Sequence, residues 1–114
     1  MKKITFNAAT ATGPEPREGY RVELSIGGAR HWFVLQMEGD RPRLLTHWAS
    51  GYKLADIGPD MLERYVRHPS AYTGGILAWR KCAQAKLDSV VAINGRDKVL
   101  AKLASVPVIN VRKD

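Results

Sequence analysis

Apolar and polar residues alternate without a break from Arg21 to Ile26, with Val22, Leu24 and Ile26 set against Arg21, Glu23 and Ser25. A period of two marks a strand with one buried face. Gly27-Gly28 follows at once, and two glycines permit the positive φ at both central positions that a tight hairpin needs. The chain from Tyr20 is thereby expected to fold back on itself, with Ile26 facing Ala29, Leu24 facing His31 and Val22 facing Phe33. A second turn at Glu38-Gly39-Asp40-Arg41 returns it through Arg43–Trp48. Centred between Gly39 and Asp40, that turn sets Leu35 against Leu44, Trp32 against His47 and His31 against Trp48.

This register separates two faces. The core face is expected to hold Val22, Leu24, Ile26, Ala29, His31, Phe33, Leu35, Met37, Leu44 and Trp48. The outer face holds Arg21, Glu23, Ser25, Arg30, Trp32, Val34, Gln36, Arg43, Leu45 and His47. A slip of one residue at the second turn would exchange the faces of the third strand. Tyr52-Lys53-Leu54-Ala55 forms a candidate fourth strand.

Beyond Ile57 the pattern changes. Gly58-Pro59-Asp60 opens a helix with Met61, Leu62, Tyr65 and Val66 on its apolar stripe, ended by His68-Pro69. A longer helix is expected over 76–94, stopped by Asn94-Gly95. Its residues Ile76, Trp79, Ala83, Leu87, Val90 and Val91 share one arc that should pack on the sheet. A second arc of small side chains, Ala78, Cys82, Ala85, Ser89 and Ala92, would admit a close neighbour. Residues 96–104 are the natural one, with Val99, Leu100 and Leu103 apolar; a homodimer contact is the alternative. Residues 106–111 suggest a final strand joining the sheet. Near the start, Lys3–Phe6 reads as a short strand, and Pro14 and Pro16 make 7–19 a mobile loop.

The expected architecture is thus one α+β domain over 1–114. An antiparallel β-meander of three to four strands over 20–57 packs against a helical region over 58–114. The length of 114 residues suits a single modest core. No apolar run nears the ~20 residues of a membrane span, and no signal-peptide h-region follows Met1-Lys2-Lys3. Cys82 is the lone cysteine, which excludes an internal disulfide and suits a reducing, cytoplasmic setting.

Lys and Arg number 18 against 11 Asp and Glu, a net charge of +7. Residues 1–57 contribute +2 and residues 77–114 contribute +5. Such an excess favours anionic partners, nucleic acid among them, but also simply keeps a small domain soluble. His31, His47, His68 and Cys82 lack the short ligand spacings of structural zinc sites, so no metal and no cofactor are expected. Cys82 sits mid-helix, away from the helix start that would stabilise a thiolate. No nucleophile elbow or carboxylate pair stands out, and no enzyme is expected. Thr73, Gly74 and Gly75, entering the long helix with Arg80 close behind, are a candidate anion site through free N–H groups.

The outer sheet face carries the main candidate site: Trp32 beside His47, ringed by Arg21, Arg30 and Arg43. Exposed aromatics among guanidinium groups suit single-stranded nucleic acid, whose bases stack on them. The leading expectation is a small non-catalytic, cytoplasmic accessory protein that binds nucleic acid on this face. The alternative is a protein-interaction module, an inhibitor or regulator of the kind phages and plasmids carry, because Trp and Arg are also enriched at protein interfaces.

Overall fold

The computed structural model describes residues 3–38, 41–57 and 75–110, with the side chains of 41 and 75–78 left aside. Five strands run β1 (Ile4–Thr10), β2 (Gly13–Ile26), β3 (Ala29–Glu38), β4 (Arg41–His47) and β5 (Lys53–Asp56). They form one antiparallel meander in chain order. Two helices follow, α1 (Gly75–Asn94) and α2 (Arg96–Ser105). The α+β architecture matches expectation with more strands than foreseen. The expected helix over 58–69 lies outside the described residues.

The hairpin at Gly27-Gly28 has the foreseen register, Ile26 opposite Ala29 and Val22 opposite Phe33, and both glycines take positive φ. The next turn departs from expectation after two pairs. Glu38 opposes Arg41 and Met37 opposes Pro42, but a bulge then makes Gln36 oppose Leu44 and Leu35 oppose Leu45. Arg43 is the extra residue, beside a proline that has no N–H to offer the ladder. Every later residue of β4 therefore points the opposite way from the unbulged register. Leu45 and His47 face the core, and Trp48 does not.

Residues 7–19, expected as a mobile loop, instead form most of β1 and the first half of β2. The prolines fit because of where the missing N–H groups would point. Asn7 opposes Pro16 and Ala9 opposes Pro14. The amides of Asn7 and Ala9 point away from β2, to Asn110 Oδ1 at 2.8 Å and Gly51 O at 2.9 Å. In an antiparallel ladder both members of such a pair point outward. Pro14 and Pro16 thus cost the ladder no hydrogen bond.

The main core lies between the sheet and the helices. Val22, Leu24, Ile26, Phe33, Leu35 and Leu45 meet Cys82, Ala83 and Leu87 of α1 and Val99 and Leu103 of α2. Trp79, Val90 and Val91 pack at its margin, as the apolar arc of α1 requires. A second cluster, Phe6, Ala8 and Val34 with Trp48 against it, lies on the opposite sheet face, because β1 rolls over that face toward the end of β4. Residues 106–110 form no strand, and Val111 lies outside the described residues. They act as a wedge instead. The Ile109 and Asn110 amides donate to Ala49 O at 2.7 and 3.0 Å. Asn110 Nδ2 donates to Asn7 O and Trp48 O, each at 2.8 Å. One carboxamide therefore supplies β1 with the donor and acceptor of a missing neighbour strand.

Gly51 makes this closure possible. Its φ is +67°, and a Cβ there would come within 2.4 Å of Asn7 O, so the backbone approach needs glycine. A second carboxamide serves the stretch of β2 that β1 leaves unpaired. Beyond Gly19, which faces the first residue of β1, Gln84 of α1 accepts from Ser25 N and donates to Ser25 O, both at 2.9 Å. Unpaired strand edges invite association, and here two amide side chains occupy part of those on β1 and β2. No described helix is long and apolar enough to cross a membrane.

Candidate functional site

The helices cover the face bearing Val22, Leu24 and Phe33, so they leave Arg21, Arg30 and Trp32 on the opposite side of β2 and β3. Strand periodicity places Arg21 and Glu23 two residues apart on that face, with Trp32 directly opposite Glu23. The Arg21 guanidinium carbon stands 4.6 Å from the Trp32 ring centroid and 5.3 Å from that of Trp48. Cation–π contacts of this kind contribute about 0.5–2 kcal/mol, rising with desolvation. Arg30 Nη1 donates to Glu23 Oε1 at 3.0 Å, yet its side chain remains 73% exposed. At that exposure the ion pair orients Arg30 more than it stabilises the fold. Arg80 joins the group from α1, with Nε 3.3 Å from Glu23 O. Three guanidinium groups and an indole thus gather around Glu23.

Two residues expected here lie elsewhere. The β4 bulge turns His47 to the helix-covered face, while Arg43, the bulged residue, is held by carboxylates away from Trp32. Arg43 pairs with Glu38 at 3.3 Å and Asp56 at 3.6 Å, which binds the β3–β4 hairpin to β5. His47 packs edge-on to Phe33, centroids 5.7 Å apart, and its Nδ1 lies 2.7 Å from Ser50 Oγ. Burial pushes the His47 pKa down, and the nearby His31 lowers it further. The two histidines were expected on opposite faces; the bulge brings them to the same one. Among the described residues no group of three or more His, Cys, Asp or Glu is placed to hold a metal.

Trp48 was missed as a site residue, since the unbulged register assigned it to the core face. Its Nε1, His31 Nε2 and Thr46 Oγ1 are buried and have no hydrogen-bond partner among the described residues. Of the candidate anion site, Thr73 and Gly74 lie outside the described residues, Gly75 begins α1, and Arg80 is engaged at the sheet. The small-residue arc divides along the helix. Cys82 is buried in the main core with its thiol pKa raised by that burial, Ala85 is half-buried, and Ser89 and Ala92 are exposed. The side chain of Ala78 lies outside the description. No protein-family model, curated protein or solved structure matches the chain.

Proposed function

We propose that this chain is a non-catalytic protein that binds single-stranded nucleic acid on the face built from Arg21, Arg30 and Trp32, with Arg80 at its border. The observation that carries the reading is the Arg21 guanidinium stacked on Trp32, on a sheet face the helices do not cover. A planar cation on an indole presents a platform on which a base can stack and toward which a phosphate is drawn. The net charge of +7 adds a sequence-independent attraction that weakens with salt. His47 takes no part because the bulge carries it to the helix-covered face, and Arg43 takes none because Glu38 and Asp56 engage it. The lone buried thiol of Cys82 suits a cytoplasmic protein.

Fluorescence anisotropy with labelled single-stranded and duplex oligonucleotides, at two salt concentrations, tests this. Single strands should bind more tightly at low salt. Trp32→Ala should weaken them by about 1–3 kcal/mol for one lost stacked base, and Arg30→Ala should reduce the salt dependence. Arg43→Ala should leave binding at the wild-type level. Absent binding at low salt, or indifference to Trp32→Ala, overturns the proposal. A protein partner retained after nuclease treatment, and lost with Trp32→Ala, would turn this face into a protein interface.

A further inference from the structure

A cleft of about 360 Å³ opens where β5, α1 and α2 meet, sharing no residue with the Trp32 face. Leu54 lines its sheet side, Val90 its α1 side, and Val99 and Leu103 its α2 side. Lys98 and Lys102 also line it, four residues apart and so on one side of α2. The Lys102 ammonium lies 5.2 Å from the Tyr52 ring centroid, which holds the charge over the cleft. Neither lysine reaches a carboxylate at ion-pair distance among the described residues. The nearest acid in sequence, Asp97, is taken by Arg96.

An apolar floor beneath two cations that no described carboxylate neutralises selects for one ligand chemistry. Like charges one helical turn apart repel, and an anion held between them relieves that repulsion. The floor meanwhile rewards an apolar body, which a phosphate or nucleotide does not supply. At about 30 Å³ per water-sized group, the cleft holds roughly a dozen heavy atoms, the small end of ligand sites. From this pairing of floor and rim we infer that the cleft binds a medium-chain amphipathic carboxylate, its head between Lys98 and Lys102 and its chain on Leu54, Val90, Val99 and Leu103.

Octanoate is the probe, titrated against isotope-labelled protein by two-dimensional NMR, with octylammonium as the charge-reversed match. Octanoate should give saturable shifts confined to residues around Tyr52–Leu54 and Val90–Leu103. Octylammonium should bind at least roughly tenfold more weakly, the scale of one lost charge contact. K98Q/K102Q alters exposed side chains only; it should retain the wild-type melting temperature and lose octanoate affinity by a similar factor. Equal binding of the two probes, shifts scattered over the surface, or undiminished affinity in K98Q/K102Q would each overturn the assignment. None of these outcomes bears on nucleic-acid binding at the opposite sheet face.

Discussion

Replacing Asn110 by Ala removes three side-chain hydrogen bonds at once: from Asn7 N to Oδ1, and from Nδ2 to Asn7 O and Trp48 O, each 2.8 Å long. Asn110 is only 7% exposed, so water does not readily replace the lost partners. A typical intramolecular hydrogen bond contributes about 1 kcal/mol net, and a buried group left unpaired costs about 1–3 kcal/mol. Three bonds therefore amount to about 3 kcal/mol, a large share of the roughly 5–15 kcal/mol that holds a domain folded. Urea unfolding followed by tryptophan fluorescence and far-UV circular dichroism measures the loss. The midpoint should fall while the slope stays constant, since the surface exposed on unfolding is unchanged. Asn110→Asp keeps the acceptor for Asn7 N but sets a carboxylate against two carbonyls, and should cost at least as much as Ala. A loss below about 1 kcal/mol for Asn110→Ala would refute the wedge as the element that closes the roll, because even one net hydrogen bond is worth that much.

Thr46 is 1% exposed and its Oγ1 lacks a partner among the described residues, so Thr46→Val should stabilise the protein by about 1 kcal/mol; a lower urea midpoint would contradict this. His47 should titrate by NMR below the ordinary histidine value of about 6.5, since burial lowers its pKa. Acidification through that value protonates the unfolded chain first, so the stability His47 contributes near neutrality is lost as the pH falls from about 6.5 toward its folded pKa. His47→Phe should flatten that part of the profile, and a midpoint above 6.5 would reverse the reasoning. Cys82 is 1% exposed with its thiol pKa raised by burial, so Ellman's reagent should modify it only as fast as the protein opens; reaction at the rate of a free thiol in folded protein would place it outside the core.

The legible parts of this fold rest on local periodicity. Val22, Leu24 and Ile26 announce a strand face, Gly27-Gly28 announces its turn, and both are where the pattern puts them. The arc of Trp79, Ala83 and Leu87 likewise identifies the side of α1 that meets the sheet. The candidate site was legible only in part. Arg21, Arg30 and Trp32 sit on strands whose register follows from the glycine turn, so their grouping was readable. Arg43 forms, and His47 and Trp48 lie beyond, a bulge that no residue type announces: Leu44 and Leu45 are equally apolar candidates for the core. Packing chose Leu45, which is fully buried, and the whole strand followed. Pro14 and Pro16 look like strand breakers in the sequence because it does not reveal which edge of a strand stays unpaired.

Alternation and helical spacing, dictated by backbone geometry within a few residues, determined the first hairpin, the two C-terminal helices and the α+β class. Only the tertiary structure decided the bulge at Arg43, the roll of β1 and the stack of Arg21 on Trp32 and Trp48. Each of these depends on groups distant in the chain. Asn110 meets Asn7 across 103 residues, and Gln84 meets Ser25 across 59. Backbone periodicity is local, whereas the hydrogen bonds that open strand edges demand are met by whatever the fold brings within reach.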